Sequence, residues 1–553
     1  MTRVPQDISK TTFDVIVVGA GVNGCGIARD AAMRGLSVLL LDKSDVSSGT
    51  TAWSTRLIHG GLRYLEHGEL GLVRESLRER ETLLRRVAPH LVRPLPMLVP
   101  VYAGRRRGTL TIRAGMLAYD LLSLDKSLPR HRMLSPPEAL ARAPGLEREG
   151  LKGAALFYDA QVEYAERLAV ENALAARARG ATVITYARVN HLLIEENNVR
   201  GVVFEDVLGG ATHEARADVV LNVAGPWVDE VLGDAAGEKL IGGTKGSHLV
   251  VRAFEGAPGT AVYVEASEDG RPFFIVPWDE KLLIGTTDER YAGDLERVEA
   301  SEREVEYLLR ETSRVLPRSG LTRASVLYTY SGVRPLPRVG DVKESGITRR
   351  HFIKPSRVRG LYSIVGGKLT TYRALAEEAV NLVFKLKGVT PPPCETAKTP
   401  LLGAPHEGNA STNFEALRKW LTGQRGLAPR TAGRLFKVYG SRAAEVGRLA
   451  SDEPELLEVI SEETGSIAAE VVYAFREEMA ETLADCLLRR TMVGLNGQLG
   501  LDALDTAARV ARRFLGWDEG RAASEVESYK SYVERFQTEP RALASGSRVR
   551  RRE

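Results

Sequence analysis

Cysteine is scarce in this chain: Cys25, Cys394 and Cys486 are the only three in 553 residues. They lie far apart, which excludes a disulfide framework and any metal-ligand spacing; the sequence predicts no metal and a reducing compartment. Charge of one sign is also lacking. A formal net charge of +4 is too small to suggest a nucleic-acid binder. No apolar run reaches the roughly 18 residues that a membrane-spanning helix needs. Residues 1–12 are polar, with no apolar core of a signal peptide. These absences predict a cytoplasmic protein, either in solution or lying on a membrane surface. No internal repeat is visible. What remains is ordinary for a globular protein, 43% hydrophobic and 27% charged, and long enough for two or three domains.

The chain is organised around residues 13–45. The β-branched run Val15, Ile16, Val17, Val18 predicts a buried parallel strand. Gly19, Gly21 and Gly24 follow at GxGxxG spacing, then a helical stretch, a second strand over 37–41 and Asp42. This is the strand–turn–helix–strand–acid context of a dinucleotide site. Gly19 allows the tight turn, Gly21 lets backbone approach a pyrophosphate, and Gly24 lets helix and strand pack closely. The helix start offers N–H groups to the phosphates, and Asp42 is placed to accept hydrogen bonds from an adenosine ribose. GxGxxG alone would fit any glycine-rich turn; the flanking elements make it specific. The fingerprint does not separate NAD from FAD. The small, hydroxyl-rich loop after Asp42, with Thr50, Thr51 and Ser54, favours FAD.

Further along, residues 104–124 join Arg105, Arg106 and Arg107 to Leu110, Ile112, Met116, Leu117, Leu121 and Leu122. Two readings compete: a basic amphipathic helix resting in a membrane interface, and a core-facing helix with a solvated basic start. Strand-like runs occur at 182–185, 192–194 and 201–204. Residues 217–225 read as a strand ending in a turn at Ala224 and Gly225, and 272–289 as a hairpin of two apolar strands. Residues 362–371 form a second strand–turn–helix, with Gly367, Lys368, Leu369 and Thr370 as contacts made by helix N-terminal N–H groups. From 413 to about 536 the pattern is helical without a clear strand, and 545–553 is a basic tail.

Four segments, STRLIHGGLRYLEH at 54–67, SGVRPL at 331–336, GGKLTTYR at 366–373 and LRRTMVGL at 488–495, resemble the FAD-dependent, quinone-linked glycerol-3-phosphate dehydrogenases. One departure is the turn NVAG at 222–225, where that family often carries a threonine. The resemblance implies an α/β fold: a two-dinucleotide-binding, Rossmann-like FAD domain (about 13–95, 155–230 and 355–390 within 13–395), an inserted antiparallel-sheet substrate domain (about 96–154 and 231–354), an all-α C-terminal domain (410–540) and the tail (541–553). It implies noncovalent FAD and oxidation of sn-glycerol 3-phosphate to dihydroxyacetone phosphate, with a hydride passing from C2 to flavin N5. Electrons would then pass to a membrane quinone, from an enzyme attached peripherally to the inner face of the cell membrane. A homodimer is compatible with this reading.

The residue chemistry agrees. A phosphomonoester needs several cations, and Arg63, Arg334, Lys368 and His248 sit in apolar or glycine-rich contexts where an unpaired charge would be costly. Arg334, Arg63 and Lys368 are expected to hold the substrate, with Tyr64 and Thr371 fixing its orientation. The catalytic candidates are Arg334, His59 and His248, and the base among them is left open. Two alternatives stand: an oxidase that passes electrons to oxygen and makes hydrogen peroxide, and a non-catalytic flavoprotein whose helical domain is an interaction module.

Overall fold

The computed structural model describes residues 3–537 except 67, 106, 340–346, 406–409 and 424–425, with the side chains of 410–413 also left out. Arg106 and the basic tail therefore lie outside the described residues.

Val15–Val18 is buried at all four positions. It lies inside a six-stranded sheet ordered Phe352–Pro355, Leu361–Val365, Val220–Asn222, Val15–Val18, Val38–Leu41, Thr182–Ile184. Every pair is parallel except the outermost Phe352–Pro355. A strand covered on both faces has no polar side, which is why the sequence shows an unbroken apolar run there. The helix Val22–Met33 packs against Ala165–Arg177 and Tyr372–Leu386 on one face. Gly26 lets the helix approach Tyr372–Leu386, since a Cβ there would lie 2.7 Å from Tyr372 Cδ2, and the turn that leads into the helix is tighter still. A Cβ on Gly24 would lie 1.8 Å from the Gly19 carbonyl oxygen, and Gly19 itself has φ of +110°.

The second large unit is a ten-stranded sheet. Its long strands Val92–Tyr102 and Leu151–Val162 pair antiparallel. The expected hairpin is there, Pro272–Trp278 against Lys281–Gly285, and Lys281–Gly285 pairs in turn with Thr244–Arg252. Val326–Arg334 lies along the other edge of Thr244–Arg252. Leu151–Val162 straddles the expected domain limit near 155 and belongs whole to this sheet. A four-stranded sheet built on residues 187–217 covers the dinucleotide unit.

The C-terminal part is mostly helical but not wholly so. Val459–Ser461 and Ser466–Ile467 form a short antiparallel pair, too short for an alternation to show in sequence. The segment at 104–124 combines features of both readings of it. Its helix, Thr109–Leu121, buries Met116 and Tyr119, while Leu110, Leu117, Leu121 and the following Leu124 are 83%, 56%, 66% and 67% exposed. One side is core-facing and the other is an uncovered apolar strip. Of the arginines, Arg107 is used internally, in ion pairs to Glu66 and Glu265, and Arg105 is exposed.

Candidate active site

A cavity of about 1110 Å³ opens where the parallel strands end, and all three structural units contribute to its wall. At the fingerprint, Val18, Gly19, Gly21, Val22 and Asn23 line it. Thr51 Oγ1 accepts from the Val22 N–H at 3.1 Å, capping the first turn of the helix. Asp42 accepts from the Ala20 N–H at 2.6 Å and the Ser44 N–H at 2.9 Å. Burial nevertheless pushes its pKa up to about 6. Each of its oxygens keeps a lone pair for a ribose hydroxyl.

The loop after Asp42 is pinned from below. Arg56, fully buried, donates to both Glu166 oxygens at 2.7 Å and lies over the Trp278 ring. Thr50 Oγ1 donates to the Val333 carbonyl at 2.6 Å, tying the loop to the substrate sheet. Sequence reasoning did not single out Arg56, because its partner is 110 residues away.

Cations gather at one place on the wall. Arg334 lies at the end of Val326–Arg334, opposite Thr244, and a Cβ on Gly246 would come within 2.2 Å of its Nη2, so glycine there makes room for it. It donates to Asp288 Oδ1 at 3.0 Å, Thr286 Oγ1 at 3.0 Å and the Thr287 carbonyl at 3.2 Å. Asp288 Oδ2 takes Arg349 at 3.0 Å, so one carboxylate orients two guanidinium groups. Arg349 is a wall residue that sequence reasoning missed; it carries no motif, and only folding brings it to Asp288. The Lys368 ammonium stands 3.6 Å from the Tyr64 ring centroid and 3.4 Å from Ser76 Oγ. Burial, with Arg349 nearby, brings its pKa down from 10.5 to about 7.

Both histidines are on the wall. His59 is lowered to about 4 by burial, and His248 well below its ordinary value by burial and then by Arg334. Both are neutral at pH 7. His248 Nε2 lies 2.9 Å from Thr55 Oγ1, with its ring stacked on Tyr330.

The other expected residues divide. Thr50, Thr51, Ser54, Ala224, Gly225, Gly367, Lys368, Leu369 and Thr370 line the cavity. Gly24 does not, in keeping with its packing role. Arg63 is half-buried on the short helix Leu62–Glu66 and is absent from the wall. Thr371 is buried as the N-cap of Tyr372–Leu386, also off the wall; Thr370 faces the cavity instead. That helix begins only at Tyr372, so the 366–370 contacts are made by an extended turn rather than a helix start. Several buried polar atoms around the cavity have no partner among the described residues: Asn23 Oδ1, His248 Nδ1, Arg349 Nη1 and Arg489 Nη1. Such atoms are what a polar ligand would satisfy. The glycine turn, the acid, the unpaired polar atoms and the volume together fit FAD.

Residues 14–389 match the model of the FAD dependent oxidoreductase family, and 394–522 that of the C-terminal domain of alpha-glycerophosphate oxidase. The chain is 46% identical to a glycerol-3-phosphate dehydrogenase of Synechocystis, over 97% of this chain and 98% of that one. It is 37% identical to glycerol-3-phosphate dehydrogenase 2 of Mycobacterium tuberculosis, over 94% and 88%. The FAD complex of the glycerol-3-phosphate dehydrogenase from Bacillus halodurans superposes with a TM-score of 0.78 at 28% identity, covering 96% of each chain.

Proposed function

We propose a function from the premise that this chain belongs to the FAD-dependent oxidoreductases and, among them, to the glycerol-3-phosphate dehydrogenases. It oxidises sn-glycerol 3-phosphate to dihydroxyacetone phosphate. The observation that carries the substrate is the meeting of Arg334, Arg349 and Lys368 on the wall of a cavity that also contains the dinucleotide fingerprint. A phosphate dianion matches two oriented guanidinium groups and an ammonium, and its charge restores the proton that burial takes from Lys368.

Bound in this cleft noncovalently, FAD supplies the hydride acceptor. The chain supplies position and proton transfer. Arg334 and Arg349, held by Asp288, fix the phosphate and polarise the developing carbonyl. Tyr64, under Lys368, packs beside the substrate. His59 and His248 are neutral and present imidazole lone pairs to accept the C2 hydroxyl proton. A dianionic substrate raises the basicity of both.

Electrons go on to a membrane quinone. The exposed strip Leu110, Leu117, Leu121 and Leu124 supports attachment to a membrane surface, with the protein on its cytoplasmic side. Among the described residues no helix is long and apolar enough to cross a membrane. The oxidase reading keeps one observation in its favour, the match of 394–522 to an oxidase C-terminal domain. Anaerobic addition of glycerol 3-phosphate should bleach the visible flavin band; an unchanged spectrum refutes the substrate. Reoxidation by a quinone analogue well ahead of oxygen supports the acceptor, and stoichiometric peroxide in air refutes it.

A further inference from the structure

Part of the cavity wall comes from the C-terminal domain: Thr482, Arg489, Ser528 and Tyr532 line it together with the fingerprint loop. Arg489 differs from the rest. Its side chain is 4% exposed. Nε donates to Asp45 Oδ2 at 2.6 Å and Nη2 to Asp485 Oδ1 at 2.6 Å. Nη1 is buried and has no partner among the described residues. Two carboxylates thus fix the guanidinium through Nε and Nη2 and leave the Nη1 amino group, with its two N–H donors, unpartnered. Asp45 lies three positions beyond Asp42, and Ser47 N–H, two further on, bonds to the Ala20 carbonyl of the glycine turn at 3.0 Å. The neighbouring Arg490 binds the same Asp45 twice at 2.8 Å but does not reach the cavity. If interdomain pairing were the sole task, Arg490 already accomplishes it. The two arginines and two aspartates cancel in formal charge, so Nη1 offers a directed N–H rather than a diffuse field. The acceptor it fits is an oxygen of the ribose–pyrophosphate part of a dinucleotide.

We propose that Arg489 is a cofactor-binding residue contributed by the C-terminal domain, and that FAD binding and the docking of that domain therefore stabilise each other. The inference rests on FAD occupying this cleft. A ligand that bonds to both units favours their docked arrangement, and by linkage the docked arrangement favours the ligand.

The test compares flavin-stripped wild type, R489Q and R490Q by FAD titration, thermal melting and hydrogen exchange. Both variants lose a bond to Asp45, so both should melt earlier without FAD. R489Q alone should bind FAD weakly, by about 10- to 100-fold, as expected for one hydrogen bond from a charged donor. FAD should slow exchange over 482–492 and 519–534 in wild type and R490Q, and much less in R489Q. R489Q binding within threefold of wild type overturns the proposal. So does wild type in which FAD leaves exchange over 482–492 unchanged, a result that stands even if R489Q fails to fold. Wild type that takes up no FAD overturns the cofactor reading and this inference with it.

Discussion

Lys368 should show opposite effects on stability and on turnover. The drop from 10.5 to about 7 corresponds to ~5 kcal/mol of lost preference for the charged form, an upper figure because any water in the cleft weakens it. Between those two values the unfolded chain holds the proton and the folded one does not. Stability of the flavin-free protein should therefore rise with pH across that window, and the cost of the buried lysine is fully present below pH 7. Lys368→Met removes that cost, so the flavin-free variant should melt higher than wild type at pH 7 and lose that part of the pH slope. Turnover should move the other way. Losing one charge-assisted bond to phosphate costs about 1.5–3 kcal/mol, roughly 10- to 150-fold in kcat/KM. In the wild type, kcat/KM should fall above pH 7 as free Lys368 deprotonates, by up to roughly 10-fold at pH 8, and level off at about the 10- to 150-fold loss of the methionine variant. The limb in kcat should lie at higher pH, because bound phosphate raises the lysine pKa. Lys368→Arg, which cannot deprotonate, should abolish the limb. The measurements are dye-linked kinetics from pH 6 to 9 and melting of stripped protein. A flat alkaline profile, or the same limb in the arginine variant, refutes the assignment of Lys368 to the phosphate.

Three further outcomes are expected. Arg334→Ala should lower kcat/KM by about 30- to 1000-fold, corresponding to about 2–4 kcal/mol, with flavin content retained; near-normal kinetics would remove it from the site. Gly21→Val should abolish flavin binding by filling the pyrophosphate approach, and acid denaturation of wild type should leave all flavin in the supernatant, so flavin in the pellet contradicts noncovalent binding. Replacing Leu110, Leu117, Leu121 and Leu124 by serine should reduce binding to anionic vesicles while dye-linked activity holds; Arg105→Glu should weaken the salt-sensitive part alone, and unchanged vesicle binding in both variants removes this helix as the anchor.

The dinucleotide unit was legible because its determinants are local. Val15 to Val18, the glycine spacing, the following helix and Asp42 lie within one stretch of chain, and the period of burial shows directly in residue type. The hairpin at 272–285 was legible for the same reason, two apolar strands around a short turn. Placing side chains on a wall is another matter. Arg63 and Lys368 both sit in glycine-rich motifs, yet only Lys368 reaches the cavity, and Thr370 faces it while its neighbour Thr371 is buried as a cap. A one-residue step along a turn or short helix reverses a side chain, and no pattern of residue types records that rotation.

The sequence by itself determined the parallel strand, the glycine turn, the place of Asp42 after the second strand and the family, because each depends on neighbours along the chain. Tertiary structure alone decided that Asp288 orients both Arg334 and Arg349, that half of the 109–121 helix stays uncovered, and that Arg489 reaches the cofactor cleft from the C-terminal domain. These are meetings of groups far apart in sequence, and their energetics appear only once burial strips water from the charges and makes each partner obligatory.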